Sequence, residues 1–262
     1  EREDLKAIRS YRTFVHGVEQ RVVRGDLHRH TELSWDDGGR LDGSLFDFYR
    51  YMLDAGFSGR LYPVNPNRET VQGIPAFATI TEVPEPVDTA IIAVPARAVV
   101  DTAEACAAAN VKAAIIFSAG FAEMSDDGRR RQDALAAIAR TTPMRIVGPN
   151  CLGVYNSATG FFGTFTSTIE AGRPTPGRVG LVSQSGAYGS HLSLIATLRG
   201  IGIRFWVTTG NECDVDVAET IGWLARHPDI SVIVAYAEGV CDRDRLFASL
   251  ALARARGKPV IL

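Results

Sequence analysis

Two short runs carry residue types suited to meeting a ligand, Gly148-Pro149-Asn150-Cys151-Leu152-Gly153 and Val182-Ser183-Gln184-Ser185-Gly186. Each follows a β-branched run, Arg145 to Val147 and Val179 to Val182. Small and amide-bearing residues are thereby presented at a strand's carboxyl end, where open α/β sheets bind ligands. Ser183 to Gly186 opens a helix, and its unsatisfied N–H groups, the helix dipole and two hydroxyls favour an anion, phosphate first. A helix cap at Ser185 with Gly186 easing the turn would use the same residues without a ligand. A serine nucleophile elbow wants glycine two before and two after the serine; Ser183 and Ala187 stand there, which argues against an acyl-enzyme at Ser185.

Other strand ends extend the pattern. Glu238, in Tyr236-Ala237-Glu238-Gly239, closes an apolar strand and either faces the same crevice or starts a loop. Gly210-Asn211 is a turn that could line it, since both residues tolerate a positive φ. Asn150 offers an amide after the stiff Gly148-Pro149, while Cys151, with no neighbouring histidine, reads as a small buried residue. Two prolines in Tyr62-Pro63-Val64-Asn65-Pro66 hold the chain extended, either as a rigid turn or against a flat ligand ring. Val94-Pro95-Ala96 and Ser118-Ala119-Gly120-Phe121 also end strands in small residues. His28 and His30, near Asp26 and Asp36, supply two ligands of a metal chelate or an exposed polar loop. Two ligands do not complete a site, and no metal site is assigned. His191 falls on the helix opened by Ser185 and is expected on its surface.

The elements that must position these residues are α/β. The 262 residues allow two domains on a prior of about 100–200 residues each, and 46% hydrophobic residues support a sizeable core. From about Phe57, strands at Leu61–Val64, Thr89–Val94, Ala113–Phe117 and Arg145–Val147 alternate with helices at Ala98–Ala109 and Asp127–Thr141, a Rossmann-like parallel sheet. Tyr155 to Gly177, rich in Gly, Thr, Phe and Pro, suits an interdomain connection. A second unit follows, with strands at Val179–Val182, Ile203–Val207, Ser231–Tyr236 and Pro259–Leu262 and helices near Ala187–Leu198, Val215–Arg226 and Arg243–Arg256. Arg21 to Leu27 and Ser44 to Asp54 read as a strand and a helix in a first segment of 55 residues with a more charged texture.

A formal charge of −2 gives no nucleic-acid-binding surface, and the four scattered cysteines fit free thiols in a reducing cytoplasm. No apolar run approaches the roughly 18 residues of a membrane span, and the acidic start resembles no signal peptide. Small-molecule or protein partners are expected, with neither nucleic acid nor membrane.

Taken together, GFSGRLYPVNP (Gly56 to Pro66), VDTAIIAVPA (Val87 to Ala96), SAGFAE (Ser118 to Glu123), GPNCLGVYN (Gly148 to Asn156), GLVSQSGAYG (Gly180 to Gly189), TTGNECDVD (Thr208 to Asp216) and AYAEG (Ala235 to Gly239) resemble the NDP-forming acyl-CoA synthetases, relatives of succinyl-CoA ligase. The resemblance implies a Rossmann-like CoA-binding domain at 56–155, a linker at 156–177 and a flavodoxin-like ligase domain at 178–262, both built on parallel sheets. It implies a reaction of acid, CoA and nucleoside triphosphate to acyl-CoA, nucleoside diphosphate and phosphate, through an acyl phosphate and a phosphohistidine. It also implies that Val64, Pro66, Val94, Pro95, Ser118 and Asn150 line the CoA site, that Ser183, Ser185 and Gly186 hold phosphate, and that Glu238 orients the phosphohistidine.

Two departures from the family pattern are expected. Its opening strand with a phosphate-gripping loop is replaced, and its phosphorylated histidine lies after the strand that ends at Leu262, so the chain reads as C-terminally truncated. RGDLHRHTELSWDDGG and DGSLFDFYRYMLDAG resemble instead the opening of metallohydrolases of the polymerase-and-histidinol-phosphatase type, with a join near Ala55 to Phe57. That foreign strand-loop-helix is expected to fill the first βα position of the sheet. The expectation is the CoA-binding and phosphate-handling portion of a synthetase, not competent alone, binding CoA weakly or not at all and forming no phosphoenzyme. Nucleotide and Mg would come only with a nucleotide-grasp domain or subunit, since no Walker A motif is present, and an oligomer is expected. The alternatives are a metal-dependent phosphoesterase using His28 and His30, and a non-catalytic CoA-binding subunit.

Overall fold

The computed structural model describes residues 12–15, 18–21, 47–71 and 73–262. The chain divides into two compact units, Glu1–His30 and Thr31–Leu262. In the first, β1 (Arg12–Val15) and β2 (Val18–Arg21) pair antiparallel, Arg12 opposite Arg21. The expected strand Arg21–Leu27 lies outside the described residues except for Arg21, which ends β2. Asp26, His28, His30 and Asp36 also lie outside them, as does most of the segment resembling a metallohydrolase.

The second unit begins its described part with α1 (Asp47–Asp54), within the span expected to be helical. Its Tyr51 and Met52 are buried among Tyr155, Phe162, Leu181 and Trp206. Phe48 meets Phe117 edge-on at 6.0 Å between ring centroids.

The next stretch departs from expectation. Leu61–Val64 forms no strand; Val64 makes one isolated bridge to Phe77, with Asn65 N donating to Phe77 O (2.8 Å) and Phe77 N to Pro63 O (2.9 Å). Pro63 and Pro66 have no N–H to give a ladder, so the pairing cannot extend. A short hairpin, β3 (Thr70–Val71) with β4 (Ile74–Pro75), follows.

The first sheet is parallel, in the order β5 (Thr89–Ile92), β6 (Ala113–Ile116), β7 (Arg145–Val147). α2 (Ala96–Ala108) and α3 (Asp126–Thr141) connect its strands. Val99 and Ala103 of α2 and Leu135 and Ile138 of α3 pack with Ile92, Ile116 and Ile146 in one buried cluster. The start of α3 is written locally: Ser125 Oγ accepts Gly128 N (3.1 Å), and Asp126 and Asp127 fill the positive end of the helix dipole.

The second sheet has six strands in the order β13 (Val260–Ile261), β12 (Val232–Tyr236), β10 (Val179–Ser183), β11 (Ile203–Thr208), β8 (Gly153–Asn156), β9 (Phe161–Thr164). Four are parallel: β10, β11, β12 and β13. Counted from β10 they run 2-1-3-4, the doubly wound flavodoxin-like order, whose switch point lies between the first and third strands, here β10 and β12. α6 (Val217–Arg226) and α7 (Arg243–Ala255) share a core with Val182, Ile233 and Ala235, while α5 (Gly186–Leu198) sends Leu192 and Ala196 into the separate cluster around Trp206 and α1.

Tyr155 to Gly177 is more than a connection. β8 (Gly153–Asn156) and β9 (Phe161–Thr164) form an antiparallel hairpin, with α4 (Thr168–Ala171) after it. β8 adds antiparallel to β11, Tyr155 opposite Trp206, so the sheet is mixed and not purely parallel. Burial alternates along β8, inward at Gly153 and Tyr155, the period-two pattern of a half-covered strand. Gly153, at φ +103, brings its backbone so close to Gly163 O that a Cβ would lie 2.1 Å from that oxygen.

Candidate functional site

The first wall is assembled from the carboxyl ends of β5, β6 and β7. Ser118 Oγ donates to Val94 O, and Asn150 N donates to Ser118 O at 2.9 Å, so Val94, Ser118 and Asn150 form one hydrogen-bonded edge. Pro95 follows Val94 at the N-cap of α2, whose first-turn amides open toward the same edge. Gly148 (φ +105) and a cis peptide to Pro149 turn the chain so that Asn150 stands at φ +58. Asn is one of the few side chains that tolerate that region. Val64 and Pro66, assigned to the same site from sequence, sit on the separate extended segment tied to Phe77, both exposed.

The second wall lies at the β10/β12 switch point. Ser183 is fully buried and its Oγ donates to Ser185 O at 2.6 Å, which ties the hydroxyl to the turn that opens α5. Burial follows from Gly189 of α5, whose missing Cβ would stand 2.7 Å from Ser183 Cβ. Ser185 caps α5, its Oγ accepting Tyr188 N at 3.4 Å, a long bond that leaves the hydroxyl and the first-turn N–H groups at the mouth of the crevice. Gln184 spans the switch point: its N donates to Tyr236 O (2.9 Å), and its Oε1 accepts Glu238 N (2.6 Å) and Gly239 N (3.0 Å). The Glu238 side chain is exposed.

The loop after β11 joins the two walls. Thr209 N donates to Ser183 O (2.9 Å), then Asn211 N to Pro149 O (2.9 Å) and Cys213 N to Gly148 O (3.0 Å). Asn211 Oδ1 accepts Asn150 Nδ2 (3.2 Å), and Asn211 Nδ2 donates to Glu123 and to Gln132 Oε1 (2.9 Å). Gly210 makes the approach possible at φ +58, its Cα so near the Pro149-Asn150 backbone that a Cβ would stand 2.4 Å from Pro149 O. Leu152 meets Gly186 directly, since a Cβ there would lie 2.7 Å from Leu152 Cγ. The two runs singled out in the sequence are therefore in contact.

Several groups here had no role assigned from the sequence, although Glu123 and Glu212 lie inside the quoted runs SAGFAE and TTGNECDVD. Burial raises the Glu123 pKa, but donation by Phe121 N, the Asn211 amide and Gly120 N outweighs it and holds the carboxyl below its ordinary value. Glu212, at φ +56, is raised by burial. Gln132 belongs to α3, far from both runs in sequence. Only Asn211 was marked from sequence, as a turn residue. Cys151 is buried, its Sγ donating to Ile116 O (3.3 Å), and burial pushes its thiol to about 12, which removes it as a nucleophile at neutral pH. His191 is exposed on α5. Among the described residues no cluster of three His, Cys, Asp or Glu could hold a metal ion, and no helix is long and apolar enough to cross a membrane.

The site can hold an anion at the start of α5 and a flat or apolar ligand along the Val94–Ser118–Asn150 edge. CoA suits this arrangement on both counts: the Asn150 Nδ2 bond to Asn211 leaves Asn150 Oδ1 as an acceptor, and amides at two helix starts suit phosphate groups.

Comparison with known proteins agrees with this architecture. Residues 46–157 match the CoA binding domain and residues 176–262 match the succinyl-CoA ligase like flavodoxin domain. The first match begins before α1 and so takes in a helix that the sequence reading grouped with the N-terminal segment. The chain is 36% identical over 203 residues to the alpha subunit of an ADP-forming acetate–CoA ligase II from Pyrococcus furiosus, covering 78% of this chain and 43% of that protein. It is 38% identical over 228 residues to a trans-feruloyl-CoA synthase from an unknown prokaryotic organism, covering 87% and 32%. A solved structure from Ca. Korarchaeum cryptofilum, a dinucleotide forming acetyl-coenzyme A synthetase 1 in complex with phosphate and ADP, superposes with a TM-score of 0.75 at 30% identity, covering 86% of this chain and 47% of that one. The chain spans less than half the length of each of these proteins. Residues 46–157 thus form a CoA binding domain and residues 176–262 a succinyl-CoA ligase like flavodoxin domain.

Proposed function

We propose that this chain is the CoA-binding and phosphate-handling portion of an NDP-forming acyl-CoA synthetase. The observation that carries the reading is the contact between the two walls: a phosphate-type helix start at a flavodoxin switch point, with Leu152 of the CoA-side turn packed on Gly186. Thioester formation needs that adjacency, because the CoA thiol must reach an acyl phosphate carbon while the departing phosphate is held. In this reading Val94, Pro95, Ser118 and Asn150 line the CoA site, with Val64 and Pro66 on its far side. Ser183, Ser185 and Gly186 hold phosphate, through the Ser185 hydroxyl and the first-turn amides of α5, with Ser183 fixing their turn through its bond to Ser185 O. Glu238, on the exposed end beyond β12, orients a phosphohistidine. The histidine, the nucleotide and its Mg belong to a nucleotide-grasp domain or subunit and to chain outside the two domains described. The names of relatives, an acetate–CoA ligase, a 4-hydroxybutyrate–CoA ligase and a trans-feruloyl-CoA synthase, support a carboxylic acid as the substrate class.

Saturation-transfer NMR with CoA tests this reading, because it detects weak binding. CoA resonances receive saturation from the wild-type chain, and Val64→Glu, an exposed position where a carboxylate would repel a phosphorylated ligand, reduces the transfer at least several-fold. Absence of transfer to the wild-type chain, or undiminished transfer with Val64→Glu in a folded protein, overturns it.

A further inference from the structure

Glu212 lies in the loop after β11 with no role in the reaction as proposed, yet four donors converge on it. Oε1 accepts Thr209 Oγ1 (2.8 Å) and Val217 N (2.9 Å); Oε2 accepts Gln184 Nε2 (3.2 Å) and Cys241 Sγ (3.3 Å). A carboxylate only accepts, so the Gln184 amide must turn its NH2 toward Glu212. Its carbonyl then faces the end of β12, where Glu238 N and Gly239 N donate to it at 2.6 and 3.0 Å. With the amide reversed, two backbone N–H groups would face an NH2 and a carboxylate would face a carbonyl. The orientation of one side-chain amide is therefore set on one side by Glu212, and on the other it fixes two backbone groups beside an exposed carboxylate.

We propose that Glu212 is a positioning residue: by fixing the Gln184 amide it holds the Glu238–Gly239 backbone and so sets the direction in which the Glu238 side chain leaves the sheet. The anchoring does not depend on the synthetase reading; its importance for turnover rests on the role given to Glu238. A positive φ at Glu212 is consistent with this task, since backbone held in that region by a non-glycine residue needs surroundings that over-determine it. Four hydrogen bonds to one side chain supply them.

Amide hydrogen exchange read by 15N NMR separates the relay from general stability. Glu212→Gln keeps size, but either orientation of the new amide sets an NH2 against a donor, Gln184 Nε2 or Val217 N. Exchange at the Glu238 and Gly239 amides then rises at least tenfold, while the Gly189 amide, bonded to Ser185 O within α5, is unchanged. Adding Gln184→Glu to Glu212→Gln restores the complementarity in reverse: the introduced amide donates to the introduced carboxylate, which still accepts from Glu238 and Gly239, and both rates return to wild type. Gln184→Ala removes the acceptor while leaving Glu212 its bonds from Thr209 and Val217 and raises the same two rates; unchanged rates in this variant overturn the proposal even where Glu212→Gln does not fold. Unchanged Glu238 and Gly239 exchange in a folded single variant, or failure of the paired exchange to restore it, overturns the proposal. Failure of CoA to bind the wild-type chain leaves these rates untouched and counts against the function alone.

Discussion

The contact between the loop after β11 and the turn after β7 makes a strong prediction about Gly210→Ala. At φ +58 any L side chain bears the left-handed penalty, about 1–2 kcal/mol. The added Cβ would also stand 2.4 Å from Pro149 O, 2.5 Å from Asn150 O and 2.8 Å from Asn150 C. All three are backbone atoms of a turn fixed by Pro149, so no side chain can rotate away, and overpacking of this kind costs about 1–3 kcal/mol more. Relief requires the loop to lift, which breaks Asn211 N to Pro149 O and Cys213 N to Gly148 O. The sum is about 2–5 kcal/mol, a large share of the stability of an ordinary domain. Gly200→Ala is the matched control. It has φ +70 and no heavy atom within 4 Å of the added Cβ, so only the first contribution applies. Equilibrium urea denaturation of both variants should place Gly210→Ala about 1–3 kcal/mol below Gly200→Ala with the same slope. Equal midpoints would refute the claim that the two walls are held together by backbone approach at this glycine.

Two further outcomes are expected. Arg145 binds Asp214 through Nε (2.9 Å) and Glu219 through Nη2 (2.8 Å), joining β7 to α6, so Arg145→Ala should cost about 1 kcal/mol, less at high salt; a loss that is negligible or independent of salt in urea denaturation would contradict the network. Glu123 has a folded pKa below its unfolded one, so its contribution is present above the unfolded carboxylate range near 4.3 and is lost as pH falls through the folded value. Urea midpoints followed into acid should therefore fall less steeply for Glu123→Gln, and an unaltered pH profile would remove this carboxylate from the link between the walls.

Alternation of β-branched and alanine-rich segments made the α/β order legible, and β7, β10 to β12 and their helices fall within a residue or two of their expected bounds. Local chemistry was enough there, since Ser125, Asp216 and Asp242 each cap the helix that follows. Leu61–Val64 misled because its apolar residues suggest a strand while Pro63 and Pro66 deny it donors. The β8–β9 hairpin was hidden by Gly160 and the threonines around it, although Phe161 and Phe162 carried the apolar signal of a strand against α1. At the site, the strand-end turns were visible because glycine, proline and amide residues cluster in sequence. The roles of Glu212, Gln132 and Glu123 were not, because each depends on at least one partner from a distant segment: Glu212 reaches back to Gln184, Gln132 reaches forward to Asn211, and Glu123 meets Asn211 as well.

The hairpin bears on how such proteins can be recombined. β8 leaves the turn after β7 only a few residues after Asn150 and then occupies the edge of β11, Tyr155 stacked on Trp206 at 5.3 Å with planes 13° apart. The two matched domains are separable as sequence at 157 and 176, yet that cut would strand β8 with one piece and its partner strand with the other. An exchange of one domain for that of a relative must therefore carry a matching β8–β11 seam. Without it, the recipient exposes an unpaired strand edge and a large aromatic surface, the features that lead a chimera to aggregate before it can be assayed.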